Sequence, residues 1–139
     1  MISRRILRIK ILQLLYAYFQ NSDSMNKSEK ELFFSIQKTY DLYHYLLLLI
    51  VDIADYANSR IDIARQKRIP TREDLNPNTK FVENLIIQQI RSNKQLNQYL
   101  NHTHLSWVNN PDLIKKLHNR IRMAPFFKEY MEDGDRSYE

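Results

Sequence analysis

The sequence predicts an all-α fold, and three observations carry that expectation. Apolar residues recur at helical spacing along most of the 139 residues. No pair of alternating apolar and polar runs flanks a turn dipeptide, and the breaks fall where Pro, Asn and Ser cluster. Glycine is nearly absent: Gly134 is the only one, so the helices must be ended by other residues. The length suits one domain with a sizeable core. About four main helices and a short C-terminal one are expected, with no internal repeat or low-complexity segment.

The first helix is expected from Arg4 to Gln20, capped by Ser3 and ended by Asn21-Ser22-Asp23-Ser24. Leu7, Ile11, Leu14 and Tyr18 form one stripe, which Leu12, Leu15 and Phe19 widen until apolar side chains nearly encircle the later turns. That pattern predicts a central, packed helix. The second helix opens with the capping box Ser28-Glu29-Lys30-Glu31, ahead of Leu32-Phe33-Phe34, and meets no Pro or Gly before Ile69-Pro70. A run to Arg68 would make a rod of roughly 60 Å, so a bend or break is expected near Asn58-Ser59. After the irregular stretch from Pro70 to Pro77, a third helix is expected from Asn78 or Thr79 to about Asn101, with Phe81, Leu85, Ile86, Ile90 and Leu96 inward. A loop from His102 to Asn109 follows. Asn110-Pro111 then forms an N-cap and first-turn pair for a helix over Asp112 to Met123, and Pro125 opens a short one over Phe126 to Met131.

Composition removes several functional classes. One glycine cannot build a phosphate-cradling loop, a dinucleotide fingerprint or a nucleophile elbow, so no nucleotide cofactor is expected. No cysteine means no disulfide, thiolate nucleophile or zinc ribbon, which fits a reducing, cytoplasmic setting. The basic start is broken by Arg8, Lys10 and Gln13 and is followed by no small-residue cleavage site, unlike a signal peptide. The longest apolar run, Tyr45 to Val51, is too short to span a bilayer, and no membrane partner is expected. His102-Thr103-His104 lacks a third ligand nearby, so no metal is expected; His44 reads as a satisfied helix residue and His118 as an exposed one. No nucleophile, base and orienter can be grouped, and the chain is not expected to be an enzyme.

Charge points to a polyanion. Lys and Arg outnumber Asp and Glu by 21 to 16, a net charge of +5. From Glu129 onward five acids stand against Arg136 alone, a net of −4, so residues 1–128 carry +9. The chain is therefore read as a basic all-α body, 1–128, with an acidic tail or linker, 129–139; nucleic acid is the first partner such a body suggests. Arg4, Arg5 and Arg8 are the sharpest feature. Cations in the first turns oppose the helix dipole by about 0.3–1 kcal/mol each, so stability does not favour them there. A bound phosphate does, because guanidinium forks, free backbone N–H groups and the dipole would all face it. The plain alternative is a solvated basic terminus. Arg60, Arg65, Lys67, Arg68 and Arg72 form a second basic cluster against Asp62. Among nine tyrosines and six phenylalanines, Phe33, Phe34, Tyr40 and Tyr43 recur at helical spacing and are expected in the core, whereas Tyr16 and Tyr18 follow the arginines and could stack on bases.

The run Arg5-x-x-Arg8-x-x-x-Leu12-Gln13-x-Leu15-Tyr16 resembles the N-terminal motif of the NusB family of transcription antitermination factors. The resemblance implies a NusB-like helical bundle that binds the boxA element of nascent single-stranded RNA. Its partner there would be a small-subunit ribosomal protein acting as NusE, and through these it would reach the RNA polymerase elongation complex. It places Arg4, Arg5, Arg8, Lys10, Gln13 and Tyr16 at the RNA face. The motif covers about the first 20 residues. Typical members carry alanines where Leu7 and Ile11 stand, and their second-half signatures, an apolar-Asn-Glu-Ala helix and a closing Phe-Val-Asn-Gly segment, have no counterpart here. The chain thus resembles the N-terminal part of a longer member, with the ribosomal-protein surface incomplete. Two other readings follow: a non-catalytic docking module that forms a homodimer through its long second helix, and the NusB-like RNA-binding domain that precedes some RNA methyltransferases.

Overall fold

A computed structural model describes residues 3–21 and 24–137. Ser22 and Asp23 of the expected first-helix stop lie outside the described residues, as do Met1, Ile2, Tyr138 and Glu139. All regular structure among the described residues is helical: α1 (Arg4–Asn21), α2 (Met25–Arg65), α3 (Arg72–Leu75), α4 (Leu85–Arg91), α5 (Lys94–Thr103), α6 (Pro111–Met123) and α7 (Pro125–Glu132). The chain forms two compact units, 1–44 and 45–139, and α2 contributes to both.

The first unit is a helical hairpin of α1 and the opening turns of α2. Ser3 caps α1 as expected, its Oγ accepting from the Ile6 N–H at 3.3 Å and its carbonyl from the Leu7 N–H at 3.1 Å. The half-buried Leu7, Lys10, Leu14, Ala17 and Tyr18 make the inner stripe of α1, and Lys10 Nζ donates to Ser35 Oγ at 2.5 Å. The expected central helix is corrected here, because no residue of α1 is buried. Two helices can cover only one stripe of each other, and the remaining apolar side chains of α1 stay in solvent. For the same reason Phe33 and Phe34, expected in the core, are 63% and 64% exposed, and Tyr40 and Tyr43 are exposed too. Helix α2 begins one turn before the expected capping box: the Ser24 carbonyl accepts from the N–H groups of Lys27 and Ser28, and Ser28 is buried.

The second unit holds the core. Val51, Ile53, Ala54 and Ala57 of α2 are buried, as are Ile87 of α4, Leu96 of α5 and Ile114 of α6. Tyr45 and Trp107 stack at 3.8 Å between centroids and 9° between planes. The Trp107 indole N–H donates to the Tyr45 carbonyl at 2.9 Å, and the Tyr45 hydroxyl donates to the Ser106 carbonyl at 3.0 Å. Asp55 and Arg91 form an ion pair joining α2 to α4.

Two boundaries differ from expectation. No break interrupts α2 at Asn58-Ser59: Ser59 Oγ donates back to the Asp55 carbonyl at 3.0 Å, Asn58 reaches Asp62 at 3.4 Å, and Ala54 and Ala57 of the same turns are buried in the core. The expected third helix is divided. A turn over 80–83 precedes α4, whose N-cap Asn84 accepts from the N–H groups of Ile86 and Ile87. Asn93 restarts the chain as α5 by accepting from the Leu96 N–H at 2.9 Å. Helix α5 also runs on to Thr103 and ends at His104, whose φ of 54° is the sole positive value among the described residues. The Pro111 and Pro125 starts stand where the sequence put them. The acidic segment from Glu129 begins inside α7, and Arg136 beyond it pairs with Glu83 at 2.7 Å.

Candidate nucleic-acid interface

Helix α1 rises with about 100° of rotation per residue, which sorts its side chains by direction. Arg4, Arg8, Phe19, Leu12, Arg5 and Tyr16, in that angular order, share an arc of about 120°, opposite the stripe that packs on α2. All six are exposed, Tyr16 by 68% and Phe19 by 76%. Arg4, Arg5 and Arg8 make no ion pair or side-chain hydrogen bond among the described residues. Ser3 satisfies the Ile6 and Leu7 N–H groups, leaving those of Arg4 and Arg5 without an intrahelical acceptor at the positive end of the dipole. The arc is therefore cationic over its first two turns and aromatic over its last two.

Not every residue of the sequence-derived set shares this arc. Gln13 is exposed about 60° beyond Tyr16, on its flank. Lys10 points the opposite way, half-buried and held by Ser35. The 100° rotation already sets Lys10 apart from the arginines; that its side is the covered one follows only from α2, whose Ser35 holds it. Tyr18 likewise lies on the packed side, edge-on to Phe19 at 5.5 Å.

The second basic cluster is partly neutralised. Arg65 lies 4.0 Å from Asp62, and Lys67 Nζ reaches both Asp74 oxygens at 2.9 and 3.0 Å. Thr71 and Asp74 complete a capping box on α3. The Thr71 N–H, and then Lys67, hold the Asp74 carboxyl below the ordinary carboxylate range. Arg60, Arg68 and Arg72 have no acidic partner among the described residues. His118, expected exposed, is buried: it sits on the inner side of α6, edge-on to Tyr56 at 5.1 Å. Burial, with Arg122 and Arg60 nearby, pushes its pKa below the usual imidazole value.

Among the described residues no three His, Asp or Glu side chains are arranged to hold a metal ion, and no helix is long and apolar enough to cross a membrane. No family model, curated protein or solved structure matches the chain.

Proposed function

We propose that the chain binds single-stranded RNA along the outward arc of α1 and acts, without catalysis, as a regulator of transcription elongation of the NusB type. In that role it reads a boxA-like element beside a small-subunit ribosomal protein in the cytoplasm. The observation that carries the reading is the joint placement of unpaired Arg4, Arg5 and Arg8 with exposed Tyr16 and Phe19 on one side of one helix. From Arg5 to Phe19 the arc is about 20 Å long, room for several phosphates at one end and stacked bases at the other. Guanidinium forks take the phosphates and the aromatic faces accept bases of any kind, so affinity falls steeply as salt rises.

The test is fluorescence anisotropy with a boxA-like RNA over a series of salt concentrations. Arg5→Ala and Arg8→Ala each weaken binding and flatten the salt slope by about 0.7, the value for one phosphate on a single strand. Lys10→Ala, directed at Ser35, changes the slope less. Arginine variants that bind with the parent's affinity and slope would remove the site. The exposed Leu12, Phe19, Phe33 and Phe34 favour a second reading, a protein-docking surface. Sedimentation at two concentrations separates the two: a strict monomer that binds RNA leaves no place for a self-docking face.

A further inference from the structure

Within the second unit a cleft of about 340 Å³ opens beside the latter part of α2, walled by α6, α7 and the segment around residues 73–82. Its size is that of a small-molecule site. The floor is made by small residues: Ala57 and Ala64 stand seven apart on one side of α2, and without large side chains there the space stays open. The apolar wall is built by Ile61, Phe81 and Phe127, the two rings edge-to-face at 5.4 Å.

The polar side of the cleft is cationic. Arg60 from α2 and Arg122 from α6 both line it, and neither has an acidic partner among the described residues. The remaining charges in the lining are Lys67 and Asp74, which pair with each other, and Glu73. His118 completes this side. It is 7% exposed, and its Nδ1 is buried with no hydrogen-bond partner among the described residues. The ring thus closes the polar side beside Arg60 and Arg122; burial first, and then their charges, depress its pKa.

We propose that this cleft binds a small phosphate monoester with an apolar body, the phosphate between Arg60 and Arg122 and the body against Phe81 and Phe127. Two guanidinium groups from different helices match the charge of a phosphate dianion, which is close to −2 at neutral pH, better than the single charge of a carboxylate. The site is independent of the α1 arc, and nothing in it relies on RNA binding.

Phenyl phosphate is the probe, titrated into the full chain and followed by calorimetry and by amide NMR shifts. Saturable binding at millimolar probe or below is expected, with shifts concentrated at residues 57–64, 118–122 and 127. Phenylacetate, which has one charge, and inorganic phosphate, which has no apolar body, bind at least about tenfold more weakly. Arg60→Gln and Arg122→Gln, both at exposed side chains, each weaken phenyl phosphate by about tenfold or more while circular dichroism is unchanged. Arg122→Lys, which keeps the charge and loses the fork, also weakens it, and Ala64→Phe fills the cleft and abolishes it. No saturable binding of phenyl phosphate, equal binding of phenylacetate or phosphate, or undiminished binding by the folded arginine variants would overturn the proposal.

Discussion

Replacing Lys80 with Met tests how the second unit holds its C-terminal segment. Lys80 is only 5% exposed, and its ammonium group has three donors. One reaches the Tyr130 carbonyl at 2.7 Å and another the Asp133 carbonyl at 2.8 Å, while the charge lies 4.4 Å from the centre of the Tyr130 ring. Those carbonyls belong to the end of α7, where the dipole is negative and the last C=O groups have no helical partner. Two charge-assisted hydrogen bonds contribute about 1.5–3 kcal/mol each and the ring contact about 1 kcal/mol. Against this stands the desolvation of a buried ammonium, several kcal/mol, which Met does not incur. Met also leaves both carbonyls dry, so the net loss is about 3 kcal/mol. With a urea dependence of about 1–3 kcal/mol per molar, the unfolding midpoint falls by 1 M or more, read by circular dichroism. A midpoint within a few tenths of a molar of the parent would refute the account of Lys80 as the clamp on α7.

Three further outcomes follow from single contacts. Asn84→Ala removes the α4 N-cap and the 2.9 Å bond from Asn84 Nδ2 to the Tyr130 hydroxyl, lowering stability by about 1–2 kcal/mol in the same assay. His118 has a pKa below 6.5 in the folded state, first from burial and then from Arg122. The unfolded chain takes up the proton first, so the stability present above about pH 6.5 is lost as the pH falls through the folded pKa. A urea midpoint that falls between about pH 7 and pH 5 in the parent and falls less in His118→Leu is the expected result. His104→Gly relieves a left-handed backbone at the end of α5 and raises stability by up to about 1 kcal/mol; a loss would show that the imidazole contributes more than the strain.

Helix starts set by a neighbouring cap or proline were legible in the sequence. Ser3, Pro111 and Pro125 act within a turn of themselves and stand where expected, although the Asn110 side chain makes no cap hydrogen bond. Asn93 was not legible as a cap, because an asparagine amid helix-forming residues reads the same inside a helix as at its start. The continuity of α2 was missed for the opposite reason: Asn58-Ser59 looks like a break until Ala54 and Ala57 are known to be buried. The solvent face of α1 lies beyond periodicity, which shows that a helix is apolar and says nothing of how many neighbours it has. In the candidate site the three arginines were read from local sequence, whereas the covering of Lys10 needed Ser35, 25 residues on. Lys80 and the cleft at His118 carried no local signal, since their partners arrive from α7 and from α2.

The length of α2 bears on how the chain is made. Tyr45 precedes Trp107 by 62 residues, and the closures from Lys80 to α7 span 50 and 53. At a synthesis rate of about 5–20 residues per second, Tyr45 waits roughly 3–12 s for its stacking partner. Through that interval α2 can complete its own backbone hydrogen bonds in microseconds, yet Val51, Ile53 and Ala57 have nothing to cover them. The helix that organises the finished core thus stands, for seconds, with its core-facing side uncovered.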